Sequence, residues 1–396
     1  MDRISQLPDT LLLRILSELP TAKDVVATMV LSKRWLPLWK SVPKLVFKDD
    51  IYQNINDTGR FSRFVHRSLI LHKAPLETLC FQLTQTSSVV DIGIWIEMAL
   101  QRGVRDLSID IDCTSSTTPV TLPRSLYTGC GILVTLILKS VTLVDSSSLP
   151  SFSTLKTLNL LSVKYPGDEF VKRLLLNCHV LEDLHVEQCL DDNVTAFTVR
   201  VPSLKSALLD KTLDRGFGED DGFVIDAPSL ELLDVLIISG SFCIIENDMP
   251  NIDRVSVVLY HDPWKILWDT TSVKRLSLCV PYSKASNPVG LVFHRLVRLE
   301  MCTSEPEWFS LLMFVLRASP NLRALKLQRC CIRGQELFSF WNEPSLVPEC
   351  LLSSIKTFEW VDYEGTIEEK EVVAFILRSG RCLKKVNISS ATTDSG

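Results

Sequence analysis

The sequence lacks a strong excess of either charge and any long apolar run. Its 42 basic and 47 acidic residues leave a formal net charge of -5, whereas a nucleic-acid-binding domain normally carries a basic stripe or patch. No run of about 18 uncharged apolar residues occurs, and a membrane-spanning helix needs roughly that length. The sequence therefore predicts neither nucleic-acid binding nor membrane insertion.

Signals for catalysis and metal binding are also missing. The sequence contains no G-x-S-x-G, no P-loop, no dinucleotide-binding glycine pattern and no H-E-x-x-H, which are common marks of enzyme sites. Cys178, His185 and Cys189 are close in sequence, but the paired C-x-x-C spacing of a zinc site is absent. We expect no enzyme activity, no cofactor and no metal site.

The N-terminal residues do not have the pattern of a signal peptide. Met1, Asp2 and Arg3 lead into an amphipathic stretch, whereas a signal peptide has a basic and then an apolar region. Without a secretory route, the twelve cysteines are expected to be reduced thiols. We therefore expect an intracellular protein of the nucleus or cytoplasm.

Apolar residues, in contrast, are abundant, at 46% of 396 residues. A single compact core rarely grows beyond about 250–300 residues, so the length predicts several domains or a repeat architecture. Near the N-terminus, Leu7, Leu11, Ile15 and Leu19 are four residues apart and share one side of a helix. Two further short helices are predicted directly after it. Because three short helices bury little surface, this unit needs a partner or the next domain to cover its apolar residues.

A close resemblance to the F-box of plant F-box proteins is carried by residues 7–47, which read LPDTLLLRILSELPTAKDVVATMVLSKRWLPLWKSVPKLVF. In that family the F-box docks on a Skp-family adaptor, which bridges to a cullin scaffold. Leu36-Pro37 departs from the family, where a polar or basic residue is more usual. The resemblance implies that a set of eleven residues forms or supports the docking face: Leu7, Pro8, Leu11, Ile15, Leu16, Leu19, Pro20, Val25, Val26, Leu31 and Trp35.

From residue 76 onward one pattern recurs: an apolar residue, two others, an apolar residue, one other and an apolar residue. Thirteen copies run from residues 76–81 to residues 383–388, at steps of 21 to 33 residues. Leucine-rich repeats have this core and periods of about 20–29 residues. One repeat cannot bury its apolar face alone, so neighbours must stack. The pattern predicts a curved leucine-rich-repeat solenoid with parallel strands along one side.

The residue between the last two apolar positions of each copy points to the opposite face of its strand. These residues mix charged, amide, hydroxyl and aliphatic side chains, as a recognition surface would. For any single residue, a solvated face without a partner is the simpler interpretation. The predicted target-binding candidates are Asn159, His185, Asp234, Glu300 and Lys326.

The C-terminal residues 347–389 are similar to the FBD segment that follows the repeats in many plant F-box proteins. The matching words are PECLLSS, KTFEW, YEG and CLKKV. From the residues alone we interpret this segment as an end cap, since a solenoid needs one to shield its open edge.

These observations predict an α/β chain: an N-terminal three-helix F-box followed by a curved leucine-rich-repeat solenoid with a C-terminal FBD cap. The predicted segments are the F-box at 1–48, a linker helix region at 49–75, the repeats at 76–345, the FBD segment with terminal repeats at 346–390 and a disordered tail at 391–396.

The resemblance implies a substrate-recognition subunit of an SCF-type cullin-RING E3 ubiquitin ligase. Its F-box would bind a Skp-family adaptor and, through it, a cullin, while its repeats bind an unknown target protein. Such a subunit is not catalytic; it holds the target near a charged conjugating enzyme and raises its effective concentration. Two alternatives stay open: a repeat-based protein-binding scaffold without ligase docking, and a small-molecule co-receptor.

Overall fold

The computed structural model describes residues 4, 6–49, 59–84, 88–112, 120–128, 130–146, 151–188, 193–211, 221–237, 241–259, 264–280, 290–304, 308–329 and 344–390. The chain divides into two compact units, Met1–Leu204 and Lys205–Gly396, and each is described by itself. No helix within the described ranges is both long and apolar enough to cross a membrane. The predicted tail at 391–396 lies outside these ranges.

The first unit opens with the three predicted helices. The Thr21 hydroxyl accepts a hydrogen bond from the backbone N–H of Asp24 and so caps the second helix, as a threonine at this position commonly does. Pro37 lies within the third helix, which is a single turn. The helices are α1 (Asp9–Ser17), α2 (Ala22–Ala27) and α3 (Trp35–Leu38).

These helices share one small hydrophobic core. Leu12 and Leu16 of α1, Val25 of α2, and Trp35 and Leu38 of α3 are all buried in it. Burial of an aliphatic side chain of this size contributes roughly 1.5–3 kcal/mol. A few such residues hold the three helices together.

The rest of the first unit is built of strands with helical returns. Its helices are α4 (Gly59–Leu71), α5 (Val89–Gln101), α6 (Ser125–Thr128) and α7 (Asp168–Leu176). Its strands are β1 (Lys44–Lys48), β2 (Thr78–Thr84), β3 (Asp106–Asp112), β4 (Val120–Thr121), β5 (Thr135–Lys139), β6 (Val141–Thr142), β7 (Thr157–Leu161), β8 (Asp183–Glu187) and β9 (Ala196–Arg200). Strands β1, β2, β3, β5, β7 and β8 pair in that order, all parallel.

The predicted linker helix is present as α4. Phe61, Val65 and Leu69 are buried along one side of it, at the four-residue spacing that a helix requires. The Phe64 ring meets the Phe47 ring edge-on, with centroids 5.9 Å apart. This helix therefore packs into the repeat core.

The repeats begin one copy earlier than the sequence analysis predicted. Val42, Leu45 and Phe47 have the repeat spacing, and all three are buried. Leu45 and Phe47 lie in β1, which pairs with β2 residue for residue. This copy was missed because it overlaps the F-box motif, which already accounted for these apolar residues.

The second unit has the same construction. Strands β10, β12 and β14 to β19 pair in that order, all parallel, and β11 pairs with β13. The strands are β10 (Ser206–Lys211), β11 (Gly222–Asp226), β12 (Leu232–Ile237), β13 (Phe242–Ile245), β14 (Arg254–Leu259), β15 (Arg275–Cys279), β16 (Arg298–Cys302), β17 (Ala324–Gln328), β18 (Thr357–Tyr363) and β19 (Lys385–Ser390). The helices are α8 (Trp264–Asp269), α9 (Trp308–Arg317), α10 (Glu349–Ser353) and α11 (Ile367–Ser379).

The predicted phase of the repeats is confirmed by burial. In twelve of the thirteen copies, the last two apolar residues are buried in a strand. The exception is the last copy, in which Val386 is 43% and Ile388 39% exposed. Strand β19, within the FBD segment, is the outermost strand, so it covers β18 but is itself left exposed at the end of the sheet.

Among the described cysteines, Cys302 departs from the expected thiols. Cys302 is disulfide-bonded, whereas Cys80, Cys178, Cys243, Cys279, Cys350 and Cys382 are free. Stacked repeats bring side chains together that are distant in the sequence, so compartment and spacing alone do not predict such a bond.

Candidate docking and target-binding surfaces

Apolar side chains cover part of the outer surface of the three-helix unit. On α1, Leu11 is 45% and Ile15 44% exposed. Beyond α2, Val30, Leu31 and Leu36 are exposed as well. We refer to these five residues as the F-box apolar surface. All five lie in one small unit of about forty residues, and contiguous exposed apolar surface is typical of interaction sites.

The eleven residues predicted for adaptor docking divide by burial. Those in the core are Leu16, Val25 and Trp35. Those half-buried are Leu7, Leu19 and Val26, and those exposed are Pro8, Leu11, Ile15, Pro20 and Leu31. The buried side chains have no surface to offer a partner, whereas the exposed ones have.

Two residues of the F-box apolar surface were not among the predicted docking residues. The helical pattern places Val30 on the apolar side of the second helix, but α2 ends at Ala27. Val30 instead lies in the 3-10 turn Thr28–Val30 and is 88% exposed. Leu36, at the position that departs from the family, is exposed too. Spacing alone could not separate these outward residues from core residues.

In each unit, the outward strand residues form a further candidate surface. In the first unit, Asn159 of β7 lies directly opposite His185 of β8. In the second unit, Glu300 of β16 lies opposite Lys326 of β17, with the Lys326 Nζ 3.7 Å from a Glu300 carboxylate oxygen. Each of these pairs is brought together by the parallel register.

Asp234, the fifth candidate, lies on β12, three strands from Glu300. It is in register with Ser256 of β14. Partial burial raises the pKa of the Asp234 carboxyl, and the positive charge of Arg254 opposes that shift. A cavity of about 370 Å³ is lined by Asp234, Arg254, Ser256, Arg275, Leu276, Ser277, Arg298 and Glu300.

The sequence analysis overlooked the arginines of this cavity. Arg254, Arg275 and Arg298 are the first residues of three adjacent strands and are in register with one another. The Arg275 guanidinium and the Lys274 ammonium both donate to the Asp253 carboxylate, and these hydrogen bonds lower its pKa. A basic residue at the start of successive repeats was the signal that could have revealed this row.

The residues considered for a metal site are not gathered around one point. Cys178 is buried and its thiol donates to the Leu174 carbonyl at 3.3 Å. Cys189 lies outside the described residues. Across the described ranges, no group of three or more His, Cys, Asp or Glu side chains is placed to hold a metal ion.

Comparison with known proteins finds three family models along the chain. The F-box domain matches residues 4–47, the LRR repeats of FBD-associated F-box protein At5g56370 match 92–258, and FBD matches 343–388. Two Arabidopsis thaliana proteins are similar over their full length. Probable FBD-associated F-box protein At1g32375 is 56% identical over 399 residues, covering 100% of this chain and 94% of that protein. F-box/FBD/LRR-repeat protein At5g56420 is 45% identical over 399 residues, covering 100% and 93%.

The chain belongs to the FBD-associated F-box family. The predicted order of F-box, leucine-rich repeats and FBD segment is therefore confirmed. F-box proteins serve in general as substrate adaptors of SCF-type ubiquitin ligases, and this F-box protein shares that general role.

The FBD segment of this F-box protein contains a helix capping box formed by Thr366 and Glu369. The Thr366 hydroxyl accepts from the backbone N–H of Glu369, while the Glu369 carboxylate accepts from the N–H groups of Glu364, Gly365 and Thr366 at 2.6–3.0 Å. This capping box satisfies backbone donors at the start of α11. It ties the loop after β18 to the helix that precedes β19.

Proposed function

We propose that this protein is the substrate-recognition subunit of an SCF-type cullin-RING E3 ubiquitin ligase. Its F-box binds a Skp-family adaptor, which bridges to a cullin, and its repeats bind the target protein. The observation that carries the proposal is the F-box apolar surface on a unit whose family acts as ligase adaptors. The protein needs no catalytic group for this role, because holding a target near a charged conjugating enzyme raises the effective concentration of the reacting groups.

The departure at Leu36-Pro37 does not favour the alternative of a scaffold without ligase docking. Both side chains are exposed and both are apolar, so they add to the apolar surface. The cavity beside Asp234 does not by itself identify a ligand, so it gives a small-molecule co-receptor no specific support. The ligase adaptor remains the function best supported.

Burial decides which variant tests the docking proposal. Leu16 is 0% exposed, so a charge there would disrupt the core and prove nothing about docking. Leu11→Asp/Ile15→Asp places two charges on exposed positions of α1. Val89→Asp/Val90→Asp, at exposed apolar positions of α5, is the matched control outside the F-box.

The experiment is a pull-down of a Skp-family adaptor and cullin with each of the three proteins, after circular dichroism has established that each is folded. The intact chain and the α5 variant should capture both partners, and the α1 variant neither. If the folded, intact chain captures neither partner, the ligase role is wrong. Equal capture by the α1 variant would instead remove Leu11 and Ile15 from the docking face.

A further inference from the structure

The strands of the second unit begin in two rows of residues that are rich in positive charge. The first row runs across β14 to β19 and contains the residue just before each strand. The backbone N–H of each of these residues donates to the carbonyl of the equivalent residue before the preceding strand of the sheet, at 2.8–3.1 Å. It consists of Asp253, Lys274, Val297, Arg323, Lys356 and Lys384. The second row consists of the in-register first residues Arg254, Arg275, Arg298, Ala324, Thr357 and Lys385.

Eight of these twelve positions across β14 to β19 are basic and only Asp253 is acidic. Next to Asp253, before β12, the first row continues with a second acidic residue, Glu231. We call the eight basic residues the basic rim: Arg254, Lys274, Arg275, Arg298, Arg323, Lys356, Lys384 and Lys385. The chain as a whole has more acidic than basic residues, 47 against 42. The rim is therefore a local concentration of charge opposite in sign to the chain's own net charge.

Most of this positive charge is available to a partner. All eight side chains are exposed or half-exposed. Lys274 and Arg275 share Asp253, and Arg298 pairs with Glu300 at 2.9 Å. The other five basic residues form no ion pair within the part of the chain that is described. Like charges on neighbouring strands repel each other, and an anionic partner relieves that repulsion.

The neighbouring row distinguishes between anionic partners. The next outward position on these strands holds Ser256, Ser277, Glu300, Lys326, Glu359 and Asn387, two of which are acidic and one basic. On β12 the equivalent position is held by Asp234, which is also acidic. A uniformly anionic nucleic-acid backbone would be repelled beside the rim, whereas a peptide can place carboxylates over the rim and amides or basic groups over Glu300 and Glu359.

We propose that the basic rim binds an extended, Asp- or Glu-rich segment of the target protein. Six strands about 4.8 Å apart span about 24 Å, which an extended chain covers with about seven residues. This inference rests on the proposed function, because it names the chemistry by which the adaptor selects its target.

The test uses fluorescence anisotropy with the full chain and a fluorescein-labelled twelve-residue peptide of alternating Glu and Ser. The probe in which Gln replaces Glu is the uncharged control, and a labelled twelve-nucleotide single-stranded DNA is the nucleic-acid control. The variant, called the rim variant, is Arg323→Gln/Lys356→Gln/Lys385→Gln, which replaces three exposed rim residues that form no ion pair within the described ranges. The matched variant is Lys139→Gln/Lys156→Gln/Lys172→Gln, which removes the same charge from exposed sites of the first unit.

The Glu peptide should bind, and more weakly as salt is added because these charges are exposed. The rim variant should lose roughly tenfold in affinity, as expected from removing several charge pairs with the peptide, and the first-unit lysine variant should not change. Equal binding of the Gln peptide, or no effect of the rim variant, would overturn the inference. DNA that binds as tightly as the Glu peptide would overturn it in favour of a nucleic-acid site.

The same preparations are passed through the adaptor pull-down, so the two proposals can fail separately. Capture of the Skp-family adaptor without peptide binding would remove the acidic-segment inference and leave the ligase role intact. Peptide binding without adaptor capture would remove the ligase role and leave the rim as a peptide site.

Discussion

Arg34 and Asp9 are 25 residues apart in the sequence, yet their side chains form an ion pair of 2.7 Å. The same guanidinium donates to the Leu7 carbonyl at 2.5 Å. Arg34 is the residue before α3, so these bonds link the start of α3 to the start of α1. This contact sets the position of α1, on which Leu11 and Ile15 are exposed, relative to the Val30–Leu31 turn.

Replacing Arg34 by Ala should lower the free energy of unfolding by about 1 kcal/mol, because the lost bonds are partly exposed and solvent competes for both groups. Guanidinium chloride denaturation of the purified chain measures the change. Arg14→Ala, at an exposed site on α1, is the control and should change stability by less than about 0.5 kcal/mol. A loss in the control as large as in the variant would contradict a specific role for Arg34.

The two sides of α1 should respond in opposite ways to truncation. Leu16→Ala removes a fully buried side chain and should cost about 2–5 kcal/mol of stability, the usual range for a core cavity. Leu11→Ala should cost less than about 0.5 kcal/mol and weaken adaptor binding instead. Denaturation and adaptor titration of both variants provide the comparison, which fails if Leu11→Ala is the more destabilising of the two.

The capping box of the FBD segment predicts a local loss of stability. Thr366→Ala removes the side-chain acceptor for the Glu369 N–H and should cost about 1 kcal/mol. Hydrogen exchange should become faster at the start of α11, while β14 to β16 keep their protection. Ser389→Ala serves as control, since Ser389 makes only a long 3.4 Å bond to the Trp360 carbonyl. Unchanged exchange in Thr366→Ala would show that packing alone holds the helix.

A buried histidine predicts the acid sensitivity of the first unit. His72 is buried with its Nε2 2.8 Å from the Val42 carbonyl oxygen. Burial lowers the pKa of His72 below its ordinary value of 6.5, and the positive charge of Arg102 acts in the same direction. The unfolded chain therefore takes up the proton more readily than the folded chain.

The stability contributed by neutral His72 is present above pH 6.5 and is lost as the pH falls below it, because protonation then favours the unfolded state. The free energy of unfolding should decrease between pH 7.5 and pH 5, and less so in His72→Gln, which keeps a hydrogen-bond donor. Denaturation curves across this range test the prediction. Identical slopes for the two proteins would assign the pH dependence to other groups.

Much of the fold follows from local patterns. Alternation of apolar residues at the repeat spacing placed twelve pairs of buried strand residues correctly, because side chains two apart on a strand must share a face. The F-box helices were predicted from four-residue spacing, because side chains four residues apart share one face of a helix. Val42, Leu45 and Phe47 were missed only because one stretch of sequence serves both the F-box and the first repeat.

The candidate surfaces could not be predicted as fully. Val25 and Val30 are both valines of one apolar segment, but Val25 is buried and Val30 is not, because the helix ends between them. Whether an apolar residue supports a face or forms it depends on where neighbouring elements pack. Local spacing does not contain that information.

By itself the sequence determined the family, the repeat phase and the residues of the core, since these depend on short-range spacing and on burial of apolar groups. Only the tertiary structure decided which side chains are neighbours across repeats. Arg254, Arg275 and Arg298 are 21 and 23 residues apart along the chain and become adjacent through the parallel register. Charge on a surface is a property of such neighbours, because the interaction between two charges depends on their distance in space.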